Sequence, residues 1–417
     1  MTAWRDYAVV TSAYWGLTLT DGALRMIVLL HFHSLGYTPI ELAALFVLYE
    51  FFGVVTNLVG GWIAARLGLR FTLYAGLWLQ IAALFMLSQL DPSWSREMSV
   101  LYVFLSQGLS GVAKDLTKMS AKSSIKILLP EGGTSRLFKW VAALTGSKNA
   151  LKGAGFFLGG ALLTSIGFEG ALIFMAAGLA VVLVASFLLL KQFAGQPTSK
   201  PPFSRILSKT RDINLISLAR FFLFGGRDVW FVVGVPLFLD EVLGWSFVEI
   251  GTFMAVWVIV YGFVQAVAPR FVQKSPDGVT MEVIAASLWG GALAIVPLLL
   301  AVVIYLLTDQ IALTDNIAWL GIVTVGELAL FGILFAINSS LHSYLILAIS
   351  DTDQTTLNVG FYYMANAGGR FLGTLMSGML YQIGGVEVCL IGSAVLIAAA
   401  AILVRGIGRQ ETVTNVS

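Results

Sequence analysis

Charged side chains lie inside long apolar stretches of this 417-residue chain, where they could bind a charged ligand. A Lys, Arg or Asp at the centre of a membrane span costs about 2.5 to 3.5 kcal/mol, so such residues must pair with one another or face water. Eight of the 25 basic residues fall in these stretches, namely Arg25, Lys114, Lys118, Lys148, Lys152, Arg220, Arg227 and Arg370. Five acidic residues join them, namely Asp21, Glu50, Asp115, Asp228 and Glu327.

The balance of these charges favours an anionic ligand. Eight cations against five carboxylates leave three cations without an internal partner if all ionise. A phosphate monoester carries a charge of about −1.5 to −2 near neutral pH. Arginine offers it a planar fork and lysine a movable point charge. The alternative, that any one of these charges belongs to a structural pair, stays open; Asp21 with Arg25 and Asp115 with Lys118 have suitable spacing.

Helical spacing groups the polar residues into faces. Residues at i, i+4, i+7 and i+11 share one face of a helix, as Tyr14, Thr18, Asp21 and Arg25 do. Similar polar faces occur in five further apolar stretches. We therefore predict a substrate-binding cavity formed by Arg25, Lys114, Lys118, Lys148, Asn149, Lys152, Arg227, Asn338, Asn366 and Arg370. For the acidic residues and Arg220 we predict internal ion pairs or a coupling role, with Arg220 in a gate pair.

The apolar stretches themselves predict an all-α membrane protein. Hydrophobic residues make up 58% of the chain and charged residues 12%, far from the composition of soluble domains. A spanning helix needs about 20 apolar residues, and twelve such stretches can be counted, the first of which we expect to be an uncleaved helix. No nucleophile with a base, no metal site and no cofactor site is apparent, and we expect no nucleic-acid partner. The single cysteine, Cys389, excludes a thiolate cluster.

Charge placement predicts the topology. If the N-terminus is cytoplasmic, sixteen basic residues fall in inner segments and only Arg96 falls in an outer one. Basic residues concentrate in cytoplasmic loops, so we expect both termini in the cytoplasm and the chain in the inner or plasma membrane. The long polar break predicts an N-terminal six-helix bundle at 1–193, a cytoplasmic linker at 194–212 and a C-terminal six-helix bundle at 213–417.

Short repeats indicate that the two halves are pseudo-symmetric copies. Gly36-Tyr37 followed by Glu41 is similar to Gly244-Trp245 followed by Glu249. Asn149-Ala150 likewise corresponds to Asn366-Ala367. Transporters are often built from such internal repeats.

The segment from Gly61 to Arg70 resembles the loop signature of the major facilitator superfamily, except that Ala65 stands where that family has an aspartate. Within that superfamily the chain resembles the ArsJ organoarsenical efflux permeases. This second resemblance rests on the segments Thr18 to Arg25, Gly53 to Gly61, Lys114 to Ser124, Thr145 to Gly153 and Arg227 to Phe231.

The resemblance implies a major facilitator fold and the export of 1-arseno-3-phosphoglycerate by alternating access. This anion forms when cytosolic glyceraldehyde-3-phosphate dehydrogenase uses arsenate in place of phosphate, so functional coupling to that enzyme and arsenate resistance are expected. Arg25 and Arg227 resemble the paired arginines of organophosphate exchangers, which makes them the expected clamp for the phosphoryl or arsenyl group. We expect a monomer in the lipid bilayer.

Two alternatives remain open at this point. The first is an organophosphate or phosphate exchanger, or a proton-coupled organic-anion antiporter, of the same fold. The second is a membrane sensor or scaffold that transports nothing, which would be expected to carry a soluble domain or an extended binding loop. An enzyme is not expected, since no catalytic constellation is apparent.

Overall fold

The computed structural model describes residues 2–128, 133–190, 210–268, 275–277, 279–311, 317–350 and 355–408. Within these ranges the regular structure is helical and contains no β-strand, which confirms the prediction of an all-α protein. The described residues form α1 Thr2–Ser34, α2 Pro39–Leu67, α3 Leu69–Ser88, α4 Arg96–Leu128, α5 Gly133–Leu189, α6 Arg211–Phe231, α7 Gly234–Glu241, α8 Phe247–Val267, α9 Thr280–Ile311, α10 Ile317–Ala348 and α11 Thr355–Val404. The predicted linker at 194–212 lies almost wholly outside the described residues.

Two turns with the same chemistry begin α2 and α8. Gly36 and Gly244 adopt positive φ angles of 75° and 68°, which glycine tolerates without steric cost. Before α2, the Glu41 carboxylate accepts from the backbone N–H and hydroxyl of Thr38. Glu249 accepts from Ser246 in the same way before α8. Each is a capping box that satisfies N–H groups at a helix start, so the sequence repeat has a structural counterpart.

The longest helices, α5 and α11, each contain a backbone break. The break in α5 is at Gly167, with φ 73°, and the break in α11 is at Gly384 and Gly385, the latter with φ 70°. Eight segments of the described helices are long and apolar enough to cross a membrane. The predicted count of twelve spans is larger and stays a prediction, because α5 and α11 each supply one of the eight segments and α1 and α4 supply none. The charged residues inside α1 and α4 lower their hydropathy.

Glycines let pairs of helices approach closely. A Cβ on Gly155 of α5 would lie 2.4 Å from the carbonyl oxygen of Leu19 in α1. One on Gly369 of α11 would lie 1.9 Å from the carbonyl oxygen of Phe221 in α6. Small residues at such contacts are typical of membrane helix interfaces, where van der Waals packing drives association. The close packing brings α1 against α5 and α11 against α6.

The helices run between two ends of the bundle. We call the end where α1 begins and α11 finishes the terminal end, and the other the opposite end. At the opposite end the turn after α1 meets the start of α4, where the Arg96 guanidinium donates to the Gly36 carbonyl. The start of α2 packs against α11 there, and Ile40 N–H donates to Gln382. Packing of α2 on α11 and of α5 on α8 joins the earlier helices to the later ones.

The tight packing of α11 on α6 predicts a steric effect of one methyl group. Gly369→Ala should lower the free energy of unfolding by about 1 to 3 kcal/mol, as overpacking does in a dense core. Thermal unfolding of the purified protein in detergent measures this. Gly360→Ala on the same helix is the control: its added Cβ would meet nothing within 4 Å, so it should be neutral or slightly stabilising. Equal melting of the two variants would contradict the close contact.

Candidate functional site

A cavity of about 110 Å³ lies among α1, α2, α4, α5 and α11. Its lining is strongly polar for a site enclosed by apolar helices. The side chains that line it are Tyr14, Thr18 and Asp21 from α1, Glu50, Gly53 and Asn57 from α2, Lys114, Asp115 and Lys118 from α4, Lys148 and Lys152 from α5, and Tyr363, Asn366, Ala367 and Arg370 from α11. The cavity therefore has walls from both the earlier and the later part of the chain.

Glycines make room for the charged residues of α4. A Cβ on Gly111 of α4 would lie 2.5 Å from the Tyr49 carbonyl oxygen, so only glycine lets α4 approach α2 this closely. A Cβ on Gly53 of α2 would lie 3.4 Å from Asp115 Oδ2 and 3.9 Å from Lys114 Nζ. The absence of a side chain at Gly53 thus leaves space beside these two ionised groups.

Glu50 is the centre of an ion-pair network that crosses between distant parts of the chain. Its Oε1 lies 2.9 Å from a guanidinium nitrogen of Arg25 and 2.6 Å from one of Arg370. Arg370 Nε also lies 3.2 Å from Asp228 Oδ2, and the other oxygen of Asp228 is 2.5 Å from Arg227. Two carboxylates and three arginines therefore link α1 and α2 to α6 and α11. Glu50 is fully buried, where only such pairing makes a charge tolerable.

The two remaining carboxylates at the cavity also have partners. Asp115 Oδ1 lies 2.5 Å from Lys118 Nζ, which also donates to Asn57 Oδ1 at 2.6 Å. Asp21 Oδ1 accepts a hydrogen bond of 2.6 Å from the Tyr49 hydroxyl. Each carboxylate of the lining is thus held by at least one donor.

Lys114 and Lys152 lie near aromatic rings rather than carboxylates of the described residues. Lys114 Nζ lies 3.8 Å from the centre of the Tyr49 ring, and Lys152 Nζ lies 5.6 Å from that of Phe156. In the part of the chain that the structure describes, no carboxylate lies within 4.0 Å of either ammonium group. Aromatic faces attract cations only modestly, by about 0.5 to 2 kcal/mol, so both charges remain largely available to an anion.

Electrostatically the cavity is a site for negative charge. Five basic side chains line it, against three carboxylates that are already paired or hydrogen-bonded. Its low-dielectric walls strengthen attraction for an anion relative to water. Within the described residues, no group of three or more His, Cys, Asp or Glu side chains is placed to hold a metal ion.

The structure brings most of the predicted ligands together in the lining of the cavity but leaves others out of it. Lys114, Lys118, Lys148, Lys152, Asn366 and Arg370 line the cavity. Arg25 and Arg227 do not, since Glu50 and Asp228 hold them. Their role as a substrate clamp stays a prediction, and their geometry is that of partners for buried carboxylates.

Two predicted ligands lie elsewhere. Asn149 faces α8, where its amide nitrogen is 3.4 Å from Gln265 Oε1. Asn338 is buried against α9, because a Cβ on Gly290 would lie 2.9 Å from its amide nitrogen. Neither belongs to the lining of the cavity.

Three expected pairings differ in the structure. Asp21 binds Tyr49 rather than Arg25, because α2 supplies Tyr49 as a donor to Asp21 and Glu50 as a partner for Arg25. Arg220 donates to Asn366 and Ser339, and no described carboxylate lies within 4.0 Å of it, so it forms no gate ion pair there. Glu327 is half-buried on α10, and its Oε2 has no hydrogen-bond partner among the described residues.

The sequence did not point to Tyr49, which contacts both an acidic and a basic side chain of the cavity. Its hydroxyl binds Asp21 and its ring faces Lys114. The available signal was its position directly before Glu50 in an apolar stretch, since a tyrosine beside a buried charge often supplies a donor.

Polar contacts also join α1 to α7 at the opposite end. His33 Nε2 lies 2.8 Å from Asp240 Oδ2 and 3.9 Å from Glu241. The Tyr381 hydroxyl of α11 donates to Glu241 at 2.7 Å. These contacts hold the helices together on that side of the cavity.

The network around Glu50 predicts a large stability effect. Glu50→Ala leaves Arg25 without its carboxylate and Arg370 with only Asp228. Loss of one partner of a buried ion pair typically costs about 3 to 5 kcal/mol. Thermal or denaturant unfolding in detergent measures this, with the exposed Glu97→Ala as the control, for which about 0.5 kcal/mol or less is expected. A Glu50 variant as stable as the control would show that the pairs contribute nothing.

The comparison with known proteins agrees with this architecture. The sequence profile described as Major Facilitator Superfamily matches residues 10–326, which is more than half of the chain. A search among curated proteins finds no match. Apolar helices suited to crossing a bilayer and a buried polar cavity between them are both present. The chain therefore belongs to the Major Facilitator Superfamily and is a multi-pass membrane transporter.

Proposed function

We propose that this transporter exports a multiply charged organic anion from the cytoplasm, and that its substrate is 1-arseno-3-phosphoglycerate. The observation that carries the anion assignment is the cavity in which Lys114 and Lys152 lack a described carboxylate within 4.0 Å. The arsenical itself is supported by the sequence resemblance to the ArsJ permeases, since the cavity chemistry suits any tetrahedral oxyanion. Export of this compound would confer arsenate resistance.

In the proposed architecture, twelve spans form two six-helix bundles at 1–193 and 213–417, joined by the linker at 194–212. The breaks at Gly167 and Gly384 support this count, because each divides a helix long enough for two passes. Addition of α1 and α4 to the apolar segments gives the remaining passes. The matching capping boxes at Glu41 and Glu249 support two related halves.

The terminal end is proposed to face the cytoplasm of a cell whose inner or plasma membrane holds the chain. The distribution of basic residues in the sequence supports this orientation. The contacts of His33 and Tyr381 at the opposite end support a conformer closed toward the outside. In this conformer the cavity would load from the cytoplasm, and rocking of the two halves would then release the anion outside.

Within the cavity, the lysines are the proposed first contacts. Lysine is a movable point charge on a flexible stem, which suits a cargo that must be released again. A phosphomonoester carries a charge of about −1.5 to −2, and an acyl arsenate adds negative charge at the other end. Lys114, Lys118, Lys148, Lys152 and Arg370 would share these two groups, while Arg25 and Arg227 hold the carboxylates behind them.

The membrane potential can drive this export without a coupled ion. One elementary charge crossing 100 mV is worth about 2.3 kcal/mol, so a trianion leaving a cell that is negative inside gains roughly 7 kcal/mol. The dehydrogenase that makes the arsenical would supply the substrate on the cytoplasmic side. Electrogenic facilitated efflux is therefore the proposed mode.

An exchanger for phosphate or organophosphates is the second candidate. The observation in its favour is that the basic cavity contains no group selective for arsenic; the one cysteine, Cys389, is buried against Ser377 in α11. Both candidates allow 3-phosphoglycerate to bind in the cavity, but under this candidate 3-phosphoglycerate or phosphate would also exchange for the arsenical across the membrane. Under the proposed function, efflux proceeds with no exchangeable anion on the far side.

Loss of the lysine charges at Lys114 or Lys152 should strongly reduce efflux. Lys114→Gln and Lys152→Gln should each reduce arsenical transport at least about tenfold, because each removes a charged hydrogen bond worth about 1.5 to 3 kcal/mol. Everted vesicles supplied with the dehydrogenase, glyceraldehyde 3-phosphate, NAD+ as the oxidant and arsenate provide the assay, with internal arsenic measured by elemental mass spectrometry. Arsenate tolerance of cells that express the variants provides a second readout.

Arg96→Gln is the matched control for this assay. It removes an exposed cation at the opposite end, where Arg96 pairs with Glu41, and transport should stay within about twofold. Wild-type vesicles that take up no arsenic, with the dehydrogenase active, would refute the arsenical as substrate.

Facilitated efflux also predicts independence from a pH gradient. At a clamped membrane potential, a pH difference of one unit across the vesicle membrane should leave the rate of arsenical uptake unchanged. A change of the potential should alter it, since charge moves with the substrate. Uptake that follows the pH gradient at fixed potential would instead indicate proton antiport through a buried carboxylate such as Asp21.

A further inference from the structure

Arg220 is a buried cation that has no carboxylate within 4.0 Å among the described residues. It lies on α6 and is 5% exposed. Its Nε donates to Asn366 Oδ1 at 2.9 Å, and its NH1 donates to the carbonyl and hydroxyl oxygens of Ser339, both at 2.9 Å. The rings of Phe224 and Tyr362 lie 4.0 and 5.0 Å from its guanidinium carbon. All of these partners are uncharged.

The other arginines of the membrane core differ in this respect. Arg25, Arg227 and Arg370 each have a carboxylate oxygen within 3 Å. In the described ranges no carboxylate lies within 4.0 Å of Arg220. Neutral oxygens satisfy the N–H donors of a guanidinium but do not cancel its charge, so the charge of Arg220 remains available to a mobile anion.

Asn366 connects this charge to the cavity. Arginine has donors only, so the amide oxygen of Asn366 must face Arg220 and the amide nitrogen must face away. Asn366 lines the cavity, and its nitrogen has no hydrogen-bond partner among the described residues. The two N–H donors of the Asn366 amide are thus available to the cavity. The positive charge of Arg220, which binds the amide oxygen, polarises these N–H groups.

We propose that Arg220 and Asn366 form a second anion subsite on the α11 side of the cavity, in addition to Lys114 and Lys152 of α4 and α5. This inference rests on the proposed function and deepens it. Asn366 would donate to one charged group of the substrate, while Arg220 fixes the amide and supplies the positive field. Two basic groups on different helices would favour organic anions with a negative group at each end over anions with one.

The test uses two stable probes, 3-phosphoglycerate with two anionic groups and glycerol 3-phosphate with one. Their dissociation constants are measured by isothermal titration calorimetry on the purified full chain. The wild type should bind 3-phosphoglycerate more tightly than glycerol 3-phosphate. Asn366→Asp places a carboxylate beside Arg220 and removes the donors, so it should weaken 3-phosphoglycerate binding at least about tenfold and abolish the preference.

Arg220→Gln tests the charge itself. It keeps a polar side chain beside Asn366 and should also remove most of the preference for the doubly charged probe. In an Asn366→Ala background the same change should have less effect, since Arg220 acts through the amide. A purely structural Arg220 would instead lower the melting temperature and leave the ratio of the two dissociation constants unchanged, which would overturn the proposal.

Asn358→Asp is the matched control. It makes the same chemical change on the same helix, at a residue whose amide donates to Ser350 and does not line the cavity, so the preference should persist. Should Asn366→Asp fail to melt cooperatively, Asn366→Ala serves for the same readout. Retained preference in the Asn366 variants overturns the subsite alone, whereas wild-type protein that binds neither probe overturns the proposed function as well.

Discussion

The cost of burying ionised side chains among apolar helices governs this structure. Glu50 is fully buried yet tolerable because Arg25 and Arg370 both contact one of its oxygens. Arg370 in turn contacts Asp228. Because these partners come from α1, α2, α6 and α11, the network also ties early helices to late ones. Removal of Glu50 leaves Arg25 without its carboxylate, and removal of Asp228 leaves Arg227 without its own.

The free-energy cost of burying charge also distinguishes two classes of cation in the core. Arg25 and Arg227 are paired with the carboxylates of Glu50 and Asp228. Lys114 and Lys152 lie beside aromatic rings, where attraction is weaker and the ammonium group can move. A transporter needs both classes, since its scaffold must persist while its cargo binds and leaves. Arg220 shares features of each, since hydrogen bonds hold it in place while no carboxylate in the described part of the chain lies within 4.0 Å of it.

Glycines determine how near these groups come to one another. Gly111 lets α4 contact the backbone of α2, which brings Lys114 to the ring of Tyr49. Gly369 lets α11 contact the backbone of α6, one residue before Arg370 joins the network. Close backbone approach therefore serves the electrostatics of the cavity as well as the packing of the bundle. It also explains why one methyl group at such a position has a large effect.

The sequence by itself determined the helical membrane class, the family signature and the set of ionisable residues in the core. Those properties follow from local composition and spacing, which a linear chain displays directly. It also grouped Lys114 with Lys118 on one face of a helix, because helical periodicity brings such residues to the same side. Only the tertiary structure decided which carboxylate holds which cation. Asp21 and Arg25 have ideal spacing for an ion pair, yet Asp21 binds Tyr49 and Arg25 binds Glu50. The partner that a charged group takes depends on every group within a few ångströms in space, and the sequence does not show which groups those are.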